Sequence, residues 1–68
     1  MTKLKEDRFD ALMNKAKSQD AKAQYKLAQW FYNGHLVEKS NEQAAYWAFK
    51  SLNNGYLGAE KLLDMIKY

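Results

Sequence analysis

The stretch Asp20-Ala21-Lys22-Ala23-Gln24-Tyr25-Lys26-Leu27-Ala28-Gln29-Trp30-Phe31-Tyr32-Asn33-Gly34 decides the fold of this chain. Ala23, Leu27, Trp30 and Phe31 recur at helical spacing and so share one apolar face. Asp20 stands where a capping acceptor satisfies the first free N–H groups of a helix. Asn33-Gly34 closes the stretch, because glycine enters the left-handed conformation that ends a helix without a Cβ penalty. One amphipathic helix bounded by its own start and stop signals is therefore expected here.

The same logic extends outward in both directions. Before Asp20, Leu4, Phe9, Leu12, Met13 and Ala16 share a broad face, which predicts a helix from about Lys3 to Lys17, broken by Ser18-Gln19-Asp20. After Gly34, the link His35-Leu36-Val37-Glu38-Lys39 holds two apolar residues expected to tuck under the hairpin. Ser40 followed by Gln43 has the spacing of a capping box. A third helix is then expected with Ala44, Trp47, Ala48 and Leu52 inward, ending at Asn53-Asn54-Gly55. A fourth, with Ala59, Leu62, Leu63 and Ile66 on one face, is expected to run to the terminus. Proline is absent and no strand pattern occurs, so the fold class is all-α.

Composition agrees with a small packed domain. The chain has 68 residues, no cysteine and 15% aromatic residues. Disulfides and thiolate zinc sites are thereby excluded, and aromatic side chains are left as the main source of buried area in a body near the lower size limit for one core. No apolar run reaches membrane-spanning length, and the charged opening Met1-Thr2-Lys3-Leu4-Lys5-Glu6-Asp7-Arg8 lacks the apolar segment of a leader. A cytoplasmic protein without membrane contact is expected, and the initial Met and terminal Tyr68 point to a whole chain rather than a piece of a longer array. The net charge of +3 lies entirely in the first part. Through Lys26 the basic residues Lys3, Lys5, Arg8, Lys15, Lys17, Lys22 and Lys26 outnumber Glu6, Asp7, Asp10 and Asp20, whereas Lys39, Lys50, Lys61 and Lys67 balance Glu38, Glu42, Glu60 and Asp64 after it.

A weak internal period accompanies the helices. Adding thirty-six to Ala23, Leu27 and Phe31 lands on Ala59, Leu63 and Lys67, of which the first two match. Ala23-Gln24-Tyr25-Lys26-Leu27-Ala28, Phe31-Tyr32-Asn33-Gly34, Val37-Glu38-Lys39, Ala44, Trp47 and Gly55 through Ala59 together resemble a Sel-one-like repeat, a relative of the tetratricopeptide repeat. The resemblance spans Asp20 to about Leu63. Ala28 stands for the family's Gly, Phe31 for its Tyr, Gln43 for its Lys and Ser51-Leu52 for a pair of alanines, and His35-Leu36 replaces a glycine-containing pair. The resemblance implies a four-helix α-α superhelix fragment of tetratricopeptide-like hairpins. Residues 1–18 would form an N-terminal capping helix, 20–55 the repeat, and 56–68 the first helix of a second, truncated repeat. It further implies that partners bind the first helix of each hairpin.

Chemistry beyond binding has little footing. His35 is the only histidine, sits in the hairpin link and has Glu38 as its one near acid, so no catalytic residue, cofactor site or metal site is assigned. A non-enzymatic role follows. On the second helix, Lys22, Tyr25, Gln29 and Tyr32 point away from the Ala23, Leu27 and Phe31 face, and the thirty-six-residue shift carries them to Gly58, Lys61, Met65 and Tyr68. The expected partner-binding surface is Lys22, Tyr25, Gln29, Tyr32, Lys61, Met65 and Tyr68, with tyrosines supplying rigid contact area. The expected role is a small adaptor, or an inhibitor or immunity-type protein that occludes another protein, with a homodimer as a further use of the same surfaces. The alternative is nucleic-acid binding through the basic first half, with steep salt dependence.

Overall fold

Four described residues adopt the left-handed conformation, three of them (Gln19, Gly34 and Gly55) at helix ends and Leu36 (φ 63°) in the link after Gly34. The computed structural model describes the backbone of residues 3–66 and the side chains of residues 8–66. Four helices occupy this span: α1 (Lys3–Lys17), α2 (Ala21–Asn33), α3 (Asn41–Asn53) and α4 (Ala59–Ile66). No strand occurs among the described residues. The all-α expectation and the helix boundaries hold. The inward placement of Leu4 and the continuation of α4 to the terminus lie outside the described residues.

Each of the first three helices ends in a turn that recaptures its last carbonyls. Gln19 (φ 69°), Gly34 (φ 72°) and Gly55 (φ 100°) adopt the left-handed conformation. The residue after each donates its N–H five positions back: Asp20 to Lys15 O, His35 to Trp30 O, and Tyr56 to Ser51 O, at 3.3, 2.9 and 3.0 Å. The starts are equally specific. Asp20 Oδ1 accepts from the N–H groups of Lys22 and Ala23 at 3.1 and 3.2 Å. Ser40 Oγ accepts from Gln43 N–H at 3.2 Å. The capping box is only half formed, because Ser40 N–H donates instead to Phe31 O at 2.9 Å. That bond ties the link back to the last turn of α2.

Packing is organised around α2. It lies against α1 on one side and α3 on the other and touches α4, which packs mainly on α3. The result is a slab with extents of 37 × 23 × 14 Å. Its core alternates a few large side chains (Leu12, Leu27, Trp47, Leu62 and Ile66) with Ala16, Ala23, Ala28, Ala44, Ala45 and Ala48. The alanines let the helix backbones approach closely, while Phe9, Met13, Trp30, Phe31 and Leu63 close the edges half-buried. Phe9 of α1 meets Phe31 of α2 edge to face at 6.2 Å. Leu36 and Val37 of the link are half-buried, as expected of residues tucked against the hairpin.

Burial departs from expectation at three places. Ser51, not Leu52, takes the inward position near the end of α3: Leu52 is half-buried and Ser51 is fully buried. Gln24 is also fully buried, within the apolar face of α2. In α4 the buried residues are Ala59, Leu62 and Ile66, with Leu63 half-buried. These correspond to Gln24, Leu27 and Phe31 under a shift of thirty-five residues. The thirty-six-residue period therefore misplaces the inward face of α4 by one position, about 100° of helix.

Gln24 and Ser51, the two buried polar side chains among the described residues, bind the elements together. Gln24 Nε2 donates to Ala16 O at the end of α1 (2.8 Å), and Gln24 Oε1 accepts from Asn54 Nδ2 after α3 (2.9 Å). Asn54 Nδ2 also donates to Gln19 Oε1 at 3.1 Å. Ser51 Oγ donates to Ala21 O at 2.7 Å. A single polar cluster thus joins the α1–α2 turn to the end of α3, with its buried groups satisfied. Trp47 Nε1 is the exception, a buried donor with no hydrogen-bond partner among the described residues.

Candidate functional site

Helix α2 gives its inner face to the core and leaves Lys22, Tyr25, Lys26 and Gln29 toward the side that faces the open edge of α1. There they border a shallow hollow of about 280 Å3. Leu12 and Lys15 of α1 line it, together with Asp20, Lys22, Ala23, Tyr25, Lys26 and Gln29, and Tyr56 from the α3–α4 turn completes it. The volume falls just below that of drug-sized ligand pockets and suits one or two inserted side chains.

The two tyrosines are held by their neighbours. Tyr25 packs against the core edge, and its ring lies 4.8 Å from that of Tyr56 at an interplanar angle of 36°. Gln29 Nε2 donates to Tyr25 Oη at 3.1 Å, which leaves the phenol hydrogen to be donated elsewhere. Tyr56 is positioned by Gly58: a Cβ at that glycine would lie 2.9 Å from Tyr56 Cε2. Gly58 thus makes room for the ring that walls the hollow. Lys15, Lys22 and Lys26 are exposed, and among the described residues none of the three is ion-paired. Asp20, the one carboxylate of the lining, has one oxygen committed to the α2 N-terminus.

The expected surface divides in the structure. Lys22, Tyr25 and Gln29 come together in this hollow. Tyr32 lies apart from it, half-buried against the core edge with Lys39 Nζ 5.5 Å from its ring centre. Lys61 lines a second, more open hollow with Leu57, Gly58, Glu60 and Asp64. Met65 is exposed on α4, and Tyr68 lies outside the described residues. Tyr25 and Tyr32 are both half-buried rather than turned fully outward. Leu12, Lys15, Lys26 and Tyr56 belong to the first hollow and were not expected there. Three of the four reside on α1 or the α3–α4 turn, and only the tertiary fold brings them to α2.

The two hollows are related through the chain. Adding thirty-five to Lys22, Ala23, Tyr25, Lys26 and Gln29 gives Leu57, Gly58, Glu60, Lys61 and Asp64, which are the residues of the second hollow. The shift is the one that relates the buried faces of α2 and α4. At the equivalent positions the first hollow has two lysines, Lys22 and Lys26, and the second has Lys61 with Glu60 and Asp64. Lys15 and Asp20, which have no counterpart in the second hollow, add a third lysine and a carboxylate to the first.

Elsewhere little converges. No group of three or more His, Asp and Glu side chains able to hold a metal occurs among the described residues. His35 is exposed and contacts the Trp30 ring edge to face at 5.2 Å. No described helix is long and apolar enough to cross a membrane. Tyr46 and Phe49 are exposed on α3, where Lys50 Nζ lies 5.6 Å from the Tyr46 ring centre. No family model, no curated protein and no solved structure matches this chain.

Proposed function

We propose that the chain is a non-enzymatic protein-docking module of the Sel-one-like, tetratricopeptide-like kind, which binds and occludes another protein through the hollow between α1 and α2. The observation that carries this reading is the convergence of Lys22, Tyr25 and Gln29 with Leu12, Lys15 and Tyr56 around one hollow. Held aromatic rings, an apolar floor and a polar rim are what a side-chain anchor from a partner needs. The relation between the two hollows supports a repeat, since α2 and α4 repeat both an inner face and an outer one. An inhibitor or immunity-type role in the cytoplasm suits a body with room for one compact docking patch.

A photo-cross-linking residue at Gln29 tests the proposal in the native host. Covalent capture of one protein from Gln29, and none from a control at exposed Glu42 on α3, is the expected result. Equal capture at both positions, or none at either, would contradict it. Nucleic-acid binding is the second reading, favoured by Lys15, Lys22 and Lys26. It predicts a gel shift with a single-stranded oligonucleotide that weakens steeply with salt.

A further inference from the structure

The α2 wall of the first hollow and the residues of the second occupy equivalent positions, but only the first is closed by another helix, through Leu12 and Lys15 of α1, and by Tyr56. The first has Lys15, Lys22 and Lys26 around Leu12 and the Tyr25–Tyr56 pair. The second, at equivalent positions of α4, has Lys61 between Glu60 and Asp64. The excess positive charge is concentrated at the hollow walled by aromatic rings.

Resting on the docking proposal above, we infer that the first hollow recognises an acidic peptide segment of the partner, with an apolar side chain seated between carboxylates. Leu12 and the tyrosine rings receive the apolar side chain. The three ammonium groups receive the flanking carboxylates, each as a mobile point charge rather than a fixed fork. Tyr25 Oη, already accepting from Gln29, donates its hydrogen to a carboxylate oxygen. Electrostatic complementarity of this kind sets orientation and partner choice as well as encounter rate. The tyrosines do not form an open stacking platform for successive bases, because both are half-buried and their rings pack on one another. An acidic protein segment is therefore favoured over a nucleic acid.

The test is an NMR titration of the full chain with three blocked pentapeptides, each a leucine flanked by two glutamates, two glutamines or two lysines on either side. A single-stranded decanucleotide is titrated at the same ionic strength. The glutamate peptide should bind roughly tenfold or more tightly than the glutamine peptide. It should shift the amides of Lys22, Tyr25, Lys26, Gln29 and Tyr56 and leave those of Leu57 through Asp64 in place. The double variant Lys22→Glu with Lys26→Glu, both at exposed positions, should keep its helicity and prefer the lysine peptide. Equal affinity for the glutamate and glutamine peptides, no binding at millimolar peptide, shifts centred on α4, or tighter binding of the oligonucleotide would each overturn the inference. Peptide failure with the Gln29 cross-link intact removes only the acidic chemistry. Failure of that cross-link removes the docking reading itself.

Discussion

Gln24 and Gly58 show how single residues position the hollow. Gln24 is fully buried and bonded to both Ala16 O and Asn54 Nδ2, so Gln24→Ala removes one buried and one part-buried hydrogen bond and opens a cavity. A loss of about 2–4 kcal/mol is expected in chemical denaturation. Gly58→Ala places a Cβ 2.9 Å from Tyr56 Cε2, so the ring must shift from its place beside Tyr25. That substitution should cost about 1 kcal/mol and shift the Tyr25 and Tyr56 ring resonances, with the core resonances of Leu27 and Trp47 unmoved. Trp47 gives the opposite kind of contrast. Its indole N–H is buried without a partner, so Trp47→Phe gains from removing that donor what it loses in area. It should change stability by less than about 1.5 kcal/mol, against about 3–5 kcal/mol for Trp47→Ala. At this scale the sequence was only partly legible. Gln24 completes an i, i+3, i+4, i+7 stripe with Leu27, Ala28 and Phe31, and Ser51 completes one with Ala44, Trp47 and Ala48. Their positions declared them inward while their polarity argued against it. What resolves the conflict is a set of carbonyl and amide partners from other elements, which no local pattern contains.

The helices themselves were more readable, because their boundaries rest on backbone chemistry local to each end. Asp20, Ser40, Gly34 and Gly55 act where their residue types place them. Gly34→Ala and Gly55→Ala each put a side chain on a left-handed backbone, at about 1–2 kcal/mol. Gly34→Ala should be the more damaging in thermal unfolding, because its Cβ also meets Lys39 Cβ at 3.3 Å whereas Gly55 opens on empty space. Gln19 is the converse case, a long side chain in the left-handed region, kept there by the 6→1 bond of Asp20 and by Asn54. Glycine signals alone could not reveal that end. In α4 the element was legible and its rotation was not. Leu62 and Leu63 are chemically identical neighbours, and only packing on α3 decides that Leu62 is the one buried.

Across the whole molecule, the hollow depends on three separated pieces of chain meeting at α2. Lys22, Tyr25 and Gln29 were visible from the sequence because they share one helix face. Lys15 and Tyr56 were not, since their sequence distances from Tyr25 say nothing of how α1 and the α3–α4 turn lie against it. The far end of the slab provides the control. Leu57 and Met65 are exposed on α4, and Leu57→Ser with Met65→Ser should leave stability within about 0.5–1 kcal/mol of the parent. Cross-linking from Gln29 should persist in that variant; its loss would move the docking surface to α4. The most direct measurement is hydrogen exchange on the chain alone and in complex with the protein captured from Gln29. Docking at the first hollow predicts added protection over residues 12–16 and 20–30 together with Tyr56. Protection confined to residues 57–66, or to the outer face of α3 around Tyr46 and Phe49, would contradict it.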